Sequence, residues 1–192
     1  MKEYRDAMAA DPAKEDRIIL TDASDHCIGT ATKEEAHRKG LLHRAFSVLL
    51  YRDGEKGREY LLSKRAETKY HSAGLWANSC CSHPREGEDV LNAASDRVGT
   101  ELGCGVSDLI EIGRFVYRAV FQNGLCEYES DHVLIGRIEG SLHPNPDEVS
   151  ETKWVGAEEM NALLSENPDQ FAPWAFTVLA LALTDRKEQK EP

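Results

Sequence analysis

Two short stretches of this sequence carry side chains able to move protons or hold a metal. The first is Asn78-Ser79-Cys80-Cys81-Ser82-His83-Pro84. A thiol two residues from an imidazole can serve as a nucleophile, as an acid or base, or as a corner of a metal site. The same residues also read as two small buried side chains and a surface His, and the spacing alone leaves both readings open. Adjacent cysteines make a strained disulfide, so both are expected to be free. The second stretch is Glu127-Tyr128-Glu129-Ser130-Asp131-His132. Alternate side chains of a strand share a face, so Glu127, Glu129 and Asp131 are expected to point together. Three acids on one face repel one another unless a cation or a raised pKa relieves them. A solvated edge would tolerate them too, but the apolar Val133-Leu134-Ile135 that follows argues for a strand inside the sheet.

Further candidates are scattered. His37, His43, His71 and His83 supply imidazoles, which suit transition metals, whereas carboxylates suit Mg or Mn. A mixed His/Glu set would make an octahedral Mn, Mg or Zn site, although each His alone reads as a surface or satisfied core residue. Arg97 and Glu101 lie four apart on one helix face, the spacing of an ordinary ion pair. Lys64-Arg65 with Lys69 makes a small basic cluster. It is either a solvated turn or a grip for phosphate, with Arg as a bidentate fork and Lys as a point charge.

These residues need elements to hold them. Ile18-Ile19-Leu20 is a short apolar run, followed by a turn at 22–25 and a helical stretch at 33–38. Residues 45–51 read as a strand, 52–56 as a turn around Asp53-Gly54, and 59–64 as the hairpin partner. A long loop covers 66–79. Residues 88–102 read as a helix closed by Gly103. Strands at 111–121 and 125–138 meet at Asn123-Gly124, a strong hairpin signal. A further strand is expected at 153–155, and helices at 158–164 and 174–184, with Pro168 and Pro173 between them. Several antiparallel strands with interspersed helices argue for an α+β fold.

Composition limits the partners. Among 192 residues, 23 Lys and Arg against 34 Asp and Glu give a net charge of −11. That excludes the basic profile of a nucleic-acid or membrane-surface binder, and at first sight it also disfavours a polyanionic ligand. The length predicts one domain with a sizeable core. Residues 1–15 are expected to form a mobile lead-in and 187–192 a frayed tail. No apolar run is long enough to span a bilayer, and the first residues lack the apolar segment of a secretory signal. Five cysteines at irregular spacing predict free thiols and a cytoplasmic location, and no C-x-x-C motif suggests structural zinc.

Taken in order, Trp76-Ala77-Asn78-Ser79-Cys80-Cys81-Ser82-His83-Pro84 and Glu127-Tyr128-Glu129 resemble the W-x-N-[S/T]-x-C-x-H-P block and later E-x-E of the type I isopentenyl diphosphate isomerases. The resemblance runs from about Ile18 to Trp174. It implies a Nudix-like α/β/α sandwich with a mixed or antiparallel sheet. It implies Cys81 and Glu129 as catalytic residues, with Tyr117 hydrogen-bonded to Glu129. It implies a metal held by His37, His43, His83, Glu127 and Glu129 (Mn, Mg or Zn), and a substrate-bound Mg at Glu101, with no flavin. Lys33, Arg65, Lys69 and Arg97, with Ser79 nearby, would bind the diphosphate, and Trp174 would face a carbocation. The expected partner is a small isoprenoid diphosphate, with no nucleic acid and no membrane, on a monomer or weak homodimer. Against G-x5-E-x7-R-E-U-x-E-E-x-G-U, the box of the Nudix hydrolases, the chain places Ser82, Glu88, Asp96-Arg97, Thr100-Glu101 and Gly103. Most of that acidic cluster is missing, which favours isomerase over the alternative, a Nudix pyrophosphohydrolase. A cysteine peptidase is a poorer fit, because His83 is too close in sequence to Cys81 to form a nucleophile–base pair. A non-catalytic binding module would leave the whole set to coincidence.

An isomerase of this kind protonates an unactivated alkene on one face and removes a proton on the other. The forward assignment we favour from sequence makes the Glu129–Tyr117 side the donor and Cys81 the base, with the roles exchanged in reverse.

Overall fold

The structure is a computed structural model, and it describes residues 17–184. The expected lead-in at 1–15 and tail at 187–192 lie outside these residues. Nine strands form one sheet among the described residues. In chain order these are β1 (Arg17–Thr21), β2 (Cys27–Thr32), β3 (His43–Gly54), β4 (Gly57–Arg65), β5 (Trp76–Ala77), β6 (Cys80–Ser82), β7 (Gly105–Val120), β8 (Cys126–Glu139) and β9 (Val149–Gly156). The helices are α1 (Lys33–Lys39), α2 (Val90–Leu102), α3 (Ala157–Glu166) and α4 (Ala175–Thr184).

β3 is the organising strand. It runs parallel to β8 over His43 to Tyr51 and antiparallel to β1, β4 and β6. All other pairs are antiparallel, so the sheet is mixed. Period-two alternation sorts its side chains into two apolar layers. Leu49 and Tyr51 of β3, Leu62 of β4 and Val133 and Ile135 of β8 pack with Met160 of α3 and Val178 and Leu179 of α4. Phe46, Val48 and Leu50, with Leu61 and Leu134, pack on the opposite face with Ala94, Val98 and Leu102 of α2. Helices therefore cover both faces, as an α/β/α sandwich requires.

The helix ends follow local chemistry. Asp89 caps α2 by accepting from the Leu91 and Asn92 amides, so the helix starts at Val90 and not at residue 88. Gly103 closes it at φ 62°, and its N–H donates to Gly99 O at 3.1 Å. A Cβ there would lie 2.5 Å from the carbonyl oxygen of His143, in a loop that itself caps the helix through His143 N–H to Leu102 O. Gly103→Ala should therefore cost about 1–3 kcal/mol for backbone strain alone. In thermal melts that is a fall of about 2–4 °C per kcal/mol at this chain length. An unchanged melting temperature would mean that the loop gives way freely.

Several elements differ from the sequence expectation. β2 was not expected: it is an edge strand with Cys27 and Ile28 exposed, so no apolar alternation announces it. The loop expected at 66–79 ends in β5, and β6 follows, both too short to show a period. β7 starts at Gly105, six residues before the expected start, because register shifts at Ser107/Ile110 and Glu111/Gly113 break its alternation. Trp174 precedes α4 and does not begin it. The Asn123-Gly124 hairpin forms as expected, with Gly124 at φ 80° and the Phe121 N–H donating to Leu125 O at 2.9 Å.

Candidate active site

Strand register builds the site around Glu129. On one side the parallel β3 places His43 opposite it, and on the other the antiparallel β7 places Tyr117 opposite it. The Tyr117 hydroxyl donates to Glu129 Oε2 at 2.6 Å. Glu127, two residues along, shares the face. His37 arrives from α1 and His83 from just beyond β6. One ligand atom from each of His37, His43, His83, Glu127 and Glu129 lies within 4.8 Å of all the others. His83 Nε2 is 2.8 Å from Glu129 Oε1, and His37 Nε2 is 3.5 Å from Glu127 Oε2.

The donor set fits a divalent cation. His43 Nδ1 meets Leu41 O at 2.8 Å, which places the ring proton there and turns the lone pair of Nε2 towards the carboxylates. His43 Nε2, His37 Nε2 and Glu127 Oε2 are buried with no hydrogen-bond partner. Such atoms are costly to bury unmet, and a cation would satisfy all three at once. Burial holds His37 down to about 3, against the pull of Glu127, and pushes His83 well below the usual imidazole range. Both are thus neutral, the form that ligates metal. Burial would lower His43 too, but the Glu129 carboxylate 3.6 Å from its Nε2 outweighs that and raises it.

The sequence predicted that Glu127, Glu129 and Asp131 would point together, relieved by a cation or a raised pKa. Asp131 lies outside the His/Glu group and accepts the Ser47 hydroxyl at 2.8 Å. Burial and the neighbouring Glu129 push its pKa well up. A cation can relieve two acids, while a retained proton relieves the third. His71 is also outside the ligand group. Its Nε2 is 2.5 Å from Glu127 Oε1, and its ring stacks on Phe121 with centroids 4.4 Å apart. It orients a ligand from behind.

Cys80 and Cys81 part company through strand alternation. Cys80 packs among Phe46, Leu50 and Val98 in the α2 layer, whereas Cys81 turns to the opposite layer and lines the cleft. Cys81 Sγ lies 3.1 Å from Asn78 Nδ2, 3.3 Å from Asn78 Oδ1 and 3.4 Å from Ser47 Oγ. Burial pushes its thiol up to about 12, and the Asp131 carboxylate adds to the rise. Burial would raise Glu129 as well, but His43 beside it and the hydrogen bond from Tyr117 hold its carboxyl below the usual range. The Cys81 thiol is thus pushed up while the Glu129 carboxyl is held down.

The cleft is lined by polar, charged and aromatic side chains around a cavity of about 70 Å³. Lys33, Arg65, Lys69 and Arg97 all line it, from α1, β4, the following loop and α2. Each has a partner at hand. Lys33 Nζ lies 5.3 Å from the Tyr70 ring centre, and Arg65 lies 5.2 Å from that of Trp174. Arg97 Nε donates to Glu101 at 2.6 Å, and Arg97 also pairs at 3.1 Å with Glu148, which takes Lys69 on its other oxygen. Glu101 is apart from the His/Glu group, in keeping with a separate role. Burial raises its pKa against the pull of Arg97. The Ser79 hydroxyl donates to Leu61 O at 2.7 Å and accepts the Leu50 N–H at 2.8 Å, so it is engaged with backbone at both ends. Trp174 is buried, its indole N–H donating to Asn78 Oδ1 at 3.2 Å.

Sequence reasoning overlooked Glu148, Ser47, Tyr70 and the part played by Asn78. Asn78 stood inside the motif already noted. Glu148 follows Pro146-Asp147 in a loop with no periodic signal, and only the fold brings it to Arg97.

Residues 41–179 match the NUDIX domain model. An isopentenyl-diphosphate Delta-isomerase of Aliivibrio fischeri strain MJ11 is 46% identical over 171 residues, covering 87% of this chain and 94% of the relative. The chain belongs to the isopentenyl-diphosphate Delta-isomerases. A second relative of that name, from Photorhabdus laumondii, is 48% identical over 157 residues, covering 82% of this chain and 86% of its own. The isomerase chain also shares its fold with a Deinococcus radiodurans crystal structure, at a TM-score of 0.67 and 18% identity over 86% of this chain and 98% of the other. A MutT NUDIX hydrolase from Burkholderia pseudomallei gives a TM-score of 0.56 at 19% identity, over 73% and 97% of the two chains. At such identities the likeness is one of fold, and activity has to be argued from the isomerase site itself.

Proposed function

We propose that this chain interconverts isopentenyl and dimethylallyl diphosphate, with Cys81 and Glu129 moving the protons. The observation that carries the reading is that these two groups, from separate strands, line one cleft whose wall also holds four basic side chains. A proton is added to the terminal alkene carbon, and a tertiary carbocation forms at the substituted carbon. Loss of a proton from the carbon nearer the diphosphate then moves the double bond. One of the two groups delivers the first proton and the other receives the second, and the reverse reaction exchanges them. Tyr117 keeps Glu129 oriented through its hydroxyl. Trp174 and Tyr117, ring centres 6.3 Å apart, offer π-faces to the cation, a contact worth about 0.5–2 kcal/mol. Lys33, Arg65, Lys69 and Arg97 anchor the diphosphate, so that binding energy places an inert alkene between acid and base.

His37, His43, His83, Glu127 and Glu129 would hold one Mn, Mg or Zn ion. When bound, it supplies positive charge that fixes the Glu129 carboxylate and tunes its basicity. Glu101 would take a Mg ion that arrives with the diphosphate. We read the chain as one catalytic unit, monomeric or weakly dimeric. Its free cysteines support a cytoplasmic location, and no described helix is long and apolar enough to cross a membrane.

A pyrophosphohydrolase would need a fuller set of acids than α2 and the preceding turn carry. Glu88 is exposed and accepts the Arg85 N–H at 2.8 Å, and Arg97 occupies a carboxylate position of the hydrolase box. The deciding experiment follows isopentenyl diphosphate in deuterated water by NMR. The expected result is dimethylallyl diphosphate with deuterium in a methyl group. Phosphate release without isomerisation would overturn the reading.

A further inference from the structure

We propose that Asn78 is a positioning residue that fixes the Cys81 thiol and the Trp174 indole against one another through a single side-chain amide. The inference rests on the reading of Cys81 as a proton carrier and of Trp174 as a ring beside the cation.

Asn78 is 1% exposed and lies in the two-residue gap between β5 and β6. Its Oδ1 accepts the Trp174 Nε1–H at 3.2 Å, and its Nδ2 donates to Val48 O at 3.0 Å and Cys80 O at 2.9 Å. These partners define which end of the amide is which. An indole N–H only donates and so must meet oxygen, and the two carbonyls only accept and so must meet the NH2. Three bonds in two directions leave the amide no free rotation.

The Cys81 sulfur sits against both ends of this locked group, 3.1 Å from Nδ2 and 3.3 Å from Oδ1. A thiol can donate to the oxygen, and a sulfur that has given up its proton can share an amide N–H with one of the two backbone carbonyls. The sulfur therefore has a partner before and after proton transfer without a change of rotamer. Ser47 is the remaining neighbour, and its own hydrogen goes to Asp131.

Trp174 comes from the far end of the chain, beside α4, and reaches the cleft across the Ala172 N–H to Trp76 O bond of 2.9 Å. The Asn78 bond is its polar tie to the segment leading into β6, the strand that carries Cys81. One amide thus sets the spacing between proton carrier and ring. The residues expected to hold the diphosphate form no hydrogen bond with Asn78, so loss of the tie should spare substrate binding.

The test is a double-mutant cycle with steady-state kinetics on isopentenyl diphosphate. Asn78→Ala should lower kcat about 100-fold, the usual scale for misplacing a reacting group by an ångström, with KM within about threefold. Trp174→Phe keeps a ring but loses the N–H, and should lower kcat about tenfold. The double variant should fall little below Asn78→Ala, because the bond is already gone. Multiplying losses, or wild-type kcat in Asn78→Ala, would overturn the proposal. If Asn78→Ala does not fold, Trp174→Phe decides. A kcat loss at constant KM supports the tie, and wild-type kcat overturns it. Cys81→Ala separates this from the parent reading. An active Cys81→Ala sinks the function assigned to the thiol, whereas an inactive one beside fully active Asn78 variants sinks only the role of Asn78.

Discussion

Cys81→Ala should lower kcat for isomerisation by about 10³- to 10⁴-fold, the span over which a positioned acid or base acts, while the protein folds and binds metal as before. The substitution removes one sulfur from a partly buried position at the cleft and leaves its neighbours Asn78 and Ser47 bonded elsewhere, to Val48 O, Cys80 O and Trp174, and to Asp131. On the proposed mechanism the alkene needs a proton carrier on the face away from Glu129, and Cys81 is assigned that role. Cys80→Ala is the matched control. Its sulfur lies in the apolar α2 layer, so the change should cost about 1 kcal/mol of stability, with turnover within about threefold of wild type. Glu129→Gln should match Cys81→Ala in turnover but should also weaken metal binding, since the same carboxylate serves both. Wild-type rates in Cys81→Ala, or inactivation by Cys80→Ala alone, would show that the other thiol does the work.

Removal of the metal should cost turnover and stability together. The five-residue cluster buries three polar atoms with no partner, and two of its members are carboxylates side by side. An ion that binds only the folded chain adds about 2.7 kcal/mol at a hundredfold excess over its dissociation constant. At about 2–4 °C per kcal/mol for a chain of this size, exhaustive chelation should lower the melting temperature by about 5–10 °C. Elemental analysis should find one tightly held ion per chain before chelation. Addition of Mn, Mg or Zn should restore both the melting temperature and the isomerase rate, and the ion that does so best identifies the natural occupant. Full turnover and an unchanged melting temperature after chelation would remove the metal from the scheme.

Much of this site was legible in the sequence, for reasons that differ from residue to residue. The Trp76–Pro84 block and the Glu127–Glu129 pair are local patterns, and a local pattern survives in a one-dimensional reading. The alternation that separates Cys81 from Cys80 is local as well. Arg65 and Lys69 showed as a local basic cluster and Arg97 as half of a helical pair, but Lys33 and the meeting of all four came only through resemblance, because that meeting depends on four separate elements. Glu148 was out of reach because a loop carboxylate has no periodicity, and its meaning comes from α2 lying across from it. The fate of Asp131 was hidden for another reason. Face-sharing along β8 was a sound expectation, but it does not say which neighbour supplies the hydrogen bond, and Ser47 comes from another strand. Among the elements, β2, β5 and β6 were missed because edge exposure or shortness erases the apolar signal that marks a strand.

The parallel pairing of β3 with β8 bears on how this chain can change over evolutionary time. Glu129 is held between His43 on one neighbour and Tyr117 on the other. A deletion or insertion of one residue within any of these three strands would present the opposite side of that strand to the cleft. Slipping β3 by one would offer Arg44 in place of His43, and slipping β7 would offer Val116 or Arg118 in place of Tyr117. A slip of β3 or β8 would take away a cation ligand and disturb Glu129 in a single event, whereas a slip of β7 would take away the Tyr117 bond and leave the ligand set in place. Length variation should therefore be confined to the connections, such as the turn at residues 55–56 or the Asn123-Gly124 bend, while the strands themselves accept only exchanges of one side chain for another.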